Sequence, residues 1–500
     1  ARTRHLILAA VIATMFMSAV EGTIIATAMP TIIGELGGFQ LFGWVFGAYL
    51  LPQAIAVPIY GRLADLHGRK PIFFIGSGLF LAGSLACGFA WNMPSLIGFR
   101  ALQGIGAGAL MPITQTIVAD IYPTTERARV QSWLSSVWGI SAVVGPTLGA
   151  VIVDHLPWAI VFWINLPLGA IALTLLGFCL KERVQKVRHR LDLLGAALLA
   201  VATSTLMLVL LQADQLGWWI LPLLALSVAS AWALIRHERV APEPMLPPEL
   251  WESRLIVVAS IGSALVGAVM MGVIAFLPTY VQGVMQRSPF EAALGLLLLS
   301  LGWPITGAIT ARLIVQHPYR QVASVGGAVL ALSSALLLGI RPDGGLVLLC
   351  ISSFGSGLGL GLISLTFLLP VQASVGWHLR GAATSSVMFA RIIGQSLGTA
   401  IMGAVFNLGL GRRLPGAVDP VATLMDPARL RLFAPDRIAA LTDAVAASLN
   451  EVFLAVLVLS LALLAVARAM PAGTLSQLAA HRTVDGMPAN GQISVRGNGR

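Results

Sequence analysis

The sequence predicts an all-α polytopic membrane protein with fourteen transmembrane helices, and three observations carry that prediction. Charged residues make up 10% of the 500 positions and hydrophobic ones 57%, against roughly 25% charged in an ordinary soluble domain. Apolar runs of about twenty residues recur from one end to the other, each long enough to cross a hydrocarbon layer as a helix. Strand alternation is missing, which argues against a barrel. A water-soluble core of this length is excluded.

The spans are expected at roughly 6–33, 41–60, 71–91, 95–119, 129–152, 157–180, 192–212, 218–236, 254–282, 291–311, 320–340, 345–369, 381–410 and 447–470. The first begins after Arg2 and Arg4 and runs too far for a cleaved h-region, with no cleavage site behind it. An even number of spans puts both termini on one side, and the basic loops make that side cytoplasmic. Arg127, Arg129, the cluster Lys181 to Arg190, Arg236, Arg239, Arg312, Arg320 and Arg380 all fall there. The opposite loops Trp91–Pro94, Asp154–Trp158 and Asp214–Gly217 are short and nearly uncharged.

Residues 411–446 break the charge rule, with five arginines and four aspartates on the outer side. Long loops obey that rule poorly, so this is expected to be a folded or flexible outer loop. Its helical stretch around Arg437–Leu449 either lies on the membrane surface or leads into the last span. The tail 471–500 is polar and Gly-rich at its end, and is expected to be disordered. The formal charge of +10 is explained by topology and anionic lipid, not nucleic acid. Cys87, Cys179 and Cys350 lie in apolar runs as small core residues, and the eight histidines show no metal spacing. No cofactor is expected, and no Walker loop is present to support ATP-driven pumping.

A weak internal repeat runs through the chain. The fourth span contains Gly104, Gly106 and Gly108, and the twelfth contains Gly355, Gly357, Gly359 and Gly361. Each is followed by a proline (Pro112, Pro370) and a cytoplasmic arginine (Arg127, Arg380), and eighteen residues beyond each arginine is a glycine (Gly145, Gly398). The repeat divides the chain into a six-helix half at 1–180, an inserted pair with its linkers at 181–253, and a second half at 254–470.

The turn Gly61-Arg-Leu-Ala-Asp65-Leu-His-Gly68-Arg69-Lys70 separates two apolar runs. Its glycines permit tight geometry, and Asp65 stands where a helix N-terminus would welcome negative charge. It resembles the loop between spans 2 and 3 of the major facilitator superfamily, G-x-L-A-D-basic-x-G-R-K, with Leu66 in place of the usual base. The resemblance implies two parallel six-helix halves rocking in alternating access, with this turn latching the outward-facing state. The inserted pair resembles that of the fourteen-span drug:proton antiporters.

Glu21 is the one carboxylate of 21 placed near the middle of a span. A charge there is costly, faces an internal cavity as a rule, and points to function. A group able to gain and lose a proton while substrate competes for it is what a proton-coupled carrier needs. The alternative is a carboxylate satisfied by a neighbouring helix without moving protons. The run Glu21-Gly-Thr-Ile-Ile-Ala-Thr-Ala-Met-Pro resembles the first-span pattern of those antiporters, where the acid is usually aspartate. Arg100, with Gln103 and Gly104 behind it, resembles the fourth-span pattern R-x-x-x-G; the resemblance ties it to proton transfer, while snorkelling to the outer interface is the structural alternative. Gly145-Pro146 and Gly149 resemble the antiporter motif G-x-x-x-G-P-x-x-G-G, with Ala150 for the last glycine and Ser141 at the first expected small position. Arg391 is the other deep cation, open to pairing with a polar group or to binding an anionic substrate. Trp138 and Trp303 lie deeper than the interfacial tryptophans and could line a cavity that attracts cations, or simply pack.

The expected activity is export of organic, amphipathic or cationic compounds in exchange for protons, from a bacterial plasma membrane. Partners would be small organic substrates, protons, lipid and, in a two-membrane host, a periplasmic adaptor. A narrow exporter of one metabolite such as a siderophore, lipid or antibiotic is the second reading. A membrane enzyme is disfavoured, because the spans lack a polar cluster with catalytic spacing.

Overall fold

In a hydrocarbon layer each backbone N–H and C=O must find its partner within its own segment, which a helix provides. The computed structural model obeys that rule. It describes residues 2–36, 42–180, 182, 192–242, 244, 246–287, 289–341, 345–414, 424, 434–474 and 477. In chain order the helices are α1 (Arg2–Leu36), α2 (Phe42–His67), α3 (Arg69–Cys87), α4 (Met93–Ile121), α5 (Thr124–His155), the short α6 (Ile160–Trp163) and α7 (Asn165–Cys179). They continue with α8 (Leu193–Leu216), α9 (Ile220–Glu238), the short α10 (Pro248–Glu252), α11 (Arg254–Thr279), α12 (Pro289–Gln316), α13 (Tyr319–Leu337), α14 (Leu346–Ser374), α15 (Arg380–Arg413) and α16 (Pro435–Arg468).

Thirteen helices among the described residues are long and apolar enough to cross a membrane. The expected fifth span falls on α5, which is 32 residues long but is not one of the thirteen. The thirteen are counted over the described residues alone, and several side chains of α5 lie outside them. The stretch Arg437–Leu449 is continuous with the last span in α16, so it leads into that span. Half of the outer loop, most of the tail and the basic cluster apart from Glu182 lie outside the described residues.

Local chemistry sets several boundaries. Asn92 opens α4 with a capping box: its Oδ1 accepts from Ser95 N–H over 2.8 Å, and Ser95 Oγ accepts from Asn92 N–H over 3.2 Å. Asp192 caps α8 by accepting from Gly195 N–H over 2.8 Å. The expected ten-residue charged turn is a single break. Residues through His67 stay helical, and only Gly68, at φ 96°, leaves the helix before α3 starts. Pro278 near the end of α11 is followed by a π turn at Tyr280–Val284.

The chain forms two compact units: Ala1–Val257 with Leu368–Phe389 and Leu475–Arg500, and Val258–Phe367 with Ala390–Thr474. In the first, α2 and α3 pack along α4, α5 and α7 pack along α1, and α8 and α9 form a hairpin touching α2. In the second, α13 packs along α16.

The same glycine packing occurs in each unit. A Cβ at Gly104 would strike the Tyr49 backbone of α2, one at Gly106 the Phe80 backbone of α3, and one at Gly108 Ala56 of α2. In the second unit Gly357 meets Leu299 of α12, Gly359 meets Leu330 of α13, and Gly361 meets Trp303 and Thr306 of α12. The pairs are offset by 253 residues, the same offset that relates Arg127 to Arg380 and Gly145 to Gly398. Gly145 packs on Thr23 of α1, and Gly398 on Ala268 of α11. Alternate glycines thus face two different neighbours, which lets one helix approach both at backbone distance.

Gly106→Ala forces its methyl onto the Phe80 backbone and should destabilise by about 1–3 kcal/mol. Gly98→Ala on the same helix meets nothing within 4 Å and should be stabilising by about 0.5–1 kcal/mol. Midpoints of thermal unfolding for the two purified variants in detergent should move in opposite directions.

Candidate functional site

Glu21 projects from α1 into the first unit and is fully buried. Its Oε1 pairs with Arg100 Nη1 of α4. Its Oε2 accepts from Asn165 Nδ2, the first residue of α7, over 2.5 Å. Arg100 Nη1 also donates to Gln103 Oε1 over 2.6 Å, and its Nε donates to the Val45 carbonyl over 3.2 Å. The guanidinium lies 4.2 Å above the ring of Tyr49. Ser84 of α3 closes the network: its Oγ accepts from Asn165 Nδ2 over 2.9 Å and Gln103 Nε2 over 3.1 Å, and donates to the Phe162 carbonyl over 2.8 Å.

Arg100 therefore faces inward and does not snorkel. Six helices contribute to one closed polar cluster among buried Val20, Ile24, Val45, Cys87, Leu96 and Phe162. Asn165, Ser84 and Tyr49 carry no local signal in the sequence, being common residue types on apolar helices. The break between α6 and α7 is what presents Asn165 at a helix start. Gly145 sits on α1 at Thr23, two residues beyond Glu21, and Thr23 Oγ1 donates to the Ser141 carbonyl over 3.3 Å. The Gly145-Pro146 helix thus packs directly on the turn that carries Glu21. Gly149 is buried, and the side chain of Pro146 lies outside the described residues.

A second charge cluster surrounds the turn, all within the first unit. Asp65 is in the last turn of α2, so the helix N-terminus it serves is not that of α3. Its carboxylate accepts from the first free amides of α15, Gly381 N–H over 2.9 Å and Ala382 N–H over 2.7 Å. Gly61 and Gly381 face each other closely enough that a Cβ on either would strike the other segment, so this contact needs both. Arg69 is completely buried and spends its guanidinium on four partners. These are Asp65 at 3.0 Å, Asp120 at 2.9 Å, the Ala64 carbonyl at 3.0 Å and the Trp377 carbonyl at 2.6 Å. Trp377 stacks on it at 3.9 Å. Asp120 also pairs with Arg380 Nη1, so one carboxylate is shared by two arginines.

Lys70 and Glu182 complete this end. Lys70 Nζ donates to the Gly177 and Leu180 carbonyls over 2.6 and 2.9 Å, sealing the C-terminus of α7. Glu182 accepts from the Arg69 and Lys70 amides, each over 2.9 Å, sealing the N-terminus of α3. Burial pushes the Glu182 carboxyl above its ordinary range, against the pull of those two amides and the Arg69 charge.

The remaining candidates stand apart from these clusters. Trp138 on α5 is 44% exposed, and Trp303 is half-buried with its backbone against Gly361. Arg391 of α15 belongs to the second unit and is taken up below.

Asp120→Ala leaves Arg69 and Arg380 without their common carboxylate. Removing one partner of a buried ion pair costs about 3–5 kcal/mol, which should appear as a large drop in the thermal midpoint. Glu182→Gln keeps an acceptor for one amide and should cost about 1 kcal/mol.

The family model described as Major Facilitator Superfamily matches residues 11–399. The multidrug transporter protein MdtP of Bacillus subtilis is 34% identical over 435 residues, covering 86% of this chain and 80% of that one. Multidrug resistance protein 3 of the same organism is 35% identical over 398 residues, covering 78% and 77%. Among solved structures, the human organic anion transporter MFSD10 (TETRAN) superposes with a TM-score of 0.59 at 16% identity, covering 91% of this chain and 99% of that one. The proton:xylose symporter XylE does so with a TM-score of 0.59 at 13% identity, covering 96% and 98%. These two likenesses show the fold. Together with the apolar helices and the two clusters above, the matches establish that this chain belongs to the major facilitator superfamily, as a multi-pass membrane transporter and not an enzyme.

Proposed function

We propose that the chain is a proton-coupled antiporter that exports organic compounds, amphipathic or cationic, by alternating access. It would sit in a bacterial plasma membrane with fourteen spans as two six-helix halves and an inserted pair, both termini cytoplasmic. The observation that carries the reading is the Glu21–Arg100 pair. A guanidinium stays charged at any working pH, so protonating Glu21 leaves Arg100 without its counter-charge in a buried site. Gln103, Val45 and Tyr49 can hold that cation only in part. The network must then repack or admit water, which makes it a two-state element biased by one proton. Efflux is supported by the names of the Bacillus subtilis relatives and of the efflux pump FUS6 of Gibberella moniliformis, 30% identical over 434 residues.

In this scheme Glu21 takes up a proton from outside as substrate leaves and releases it inside as substrate binds. Asp65, with Gly61, Gly68, Arg69 and Lys70, would hold one state through the α15 amides. Gly145, Pro146 and Gly149 would maintain the α1–α5 packing that limits leak.

Ethidium efflux from vesicles under an imposed pH gradient tests this. The native protein should move the dye with the gradient, and Glu21→Gln should fall to the level of vesicles without protein. Glu21→Asp should retain gradient dependence. Equal transport by native protein and Glu21→Gln would place the proton site elsewhere; no transport by either would favour an exporter of a single metabolite.

A further inference from the structure

The second unit keeps the glycine packing of the first but not its charges. At the 253-residue offset, Arg100 and Gln103 correspond to Ser353 and Ser356, and Trp138 corresponds to Arg391. Arg391 is therefore no part of the shared scaffold. It lies 11 residues into α15 from Arg380, or about 16 Å along the axis, near the middle of a layer about 30 Å thick. Its Nε is enclosed and has no hydrogen-bond partner among the described residues, and the residue as a whole is half-buried. No ion pair joins it to any described carboxylate.

A permanent cation at that depth needs a counter-charge or a wet cavity. No deep carboxylate among the described residues is spare. Glu21 has both oxygens engaged by Arg100 and Asn165, Asp65 serves Arg69 and the α15 amides, and Asp120 serves Arg69 and Arg380. The acids outside the described residues all fall in loops by sequence. Enclosed hydroxyls of the same unit also lack partners: Ser260 and Ser263 of α11, Thr310 of α12, and Ser353, Ser356 and Ser364 of α14. Among its described residues the second unit thus holds a mid-span cation without a counter-charge, along with hydrogen-bonding capacity that no described protein group uses.

We propose that Arg391 binds an anionic group of the transported compound: a carboxylate, sulfonate or phosphate ester on an otherwise apolar organic molecule. The guanidinium fork suits such groups, presenting paired donors to two oxygens at once. The inference rests on the exporter reading above and gives its substrates a rank, with anionic or zwitterionic amphiphiles preferred over purely cationic ones.

The test uses a matched pair of dyes, a zwitterionic rhodamine with a free carboxylate and its cationic methyl ester. Binding to the purified full-length chain is read by fluorescence anisotropy in gluconate buffer, and transport is read in proteoliposomes under a pH gradient. The native protein should prefer the carboxylate dye. Arg391→Gln should lose at least tenfold in affinity for that dye while binding the ester unchanged, and Arg391→Lys should recover part of the loss. Loss of both dyes together, or of neither, overturns the proposal. Should Arg391→Gln fail to elute as a folded species, Arg391→Lys and the native preference between the two dyes decide the matter. If chloride in place of gluconate abolishes that preference and raises the thermal midpoint of the native protein but not of Arg391→Gln, the site takes an inorganic ion, which also overturns it. If the native protein binds as expected but moves neither dye with the gradient, the exporter reading fails and the assignment of Arg391 stands.

Discussion

Where lipid replaces water, helices gain nothing by hiding apolar surface against each other, and close contact between backbones has to hold them together. Gly104, Gly106 and Gly108 supply that contact for α4, and Gly357, Gly359 and Gly361 supply it for α14. The network around Glu21 and Arg100 depends on this closeness. Arg100 reaches the Val45 carbonyl because α4 lies against α2 at Gly104, one turn further along. Ser84 reaches Gln103 because Gly83 of α3 lies against the Gln103 backbone. A larger residue at either glycine would part the helices by more than a hydrogen bond can span.

Three buried carboxylates of the first unit share one pattern: each is matched by a guanidinium, and its other oxygen lone pairs are filled by amides or a second guanidinium. Glu21 has Arg100 and the Asn165 amide; Asp65 has Arg69 and two helix-terminal N–H groups; Asp120 has two arginines. Such pairs contribute little net stability against an apolar replacement, yet they are costly to break from one side. That asymmetry suits a switch, since a single proton or a slight helix shift removes one partner and strands the other.

Much of this is legible in the sequence, for a physical reason. A charge inside an apolar run has few explanations, so Glu21 and Arg100 stand out, and their pairing is dictated by the cost of leaving either alone. Glycines at two-residue spacing in a long helix likewise advertise close packing. The partners are not legible. Asp120 looks like an ordinary acid at a span end, Glu182 is hidden in a basic cluster, and Asn165 and Ser84 are everyday polar residues on apolar helices. Asp65 does serve a helix start, but that helix begins at Arg380, more than three hundred residues away. Local pattern carries no information about separations of that size. The charged turn is shorter than its composition suggests, because Gly, Arg and Asp resemble a loop while packing keeps them helical through His67.

The reciprocal seal between α3 and α7 bears on the history of the chain as well as on its structure. Lys70 closes the end of α7 and Glu182 the start of α3, so these two helix ends are finished, chemically speaking, at residue 182. Those two ends need nothing from the chain beyond that point, although Asp65, Arg69 and Asp120 do draw on Trp377–Ala382. A seam of that kind can gain or lose a helical hairpin without unravelling the two ends it joins, much as a hemmed edge accepts a patch.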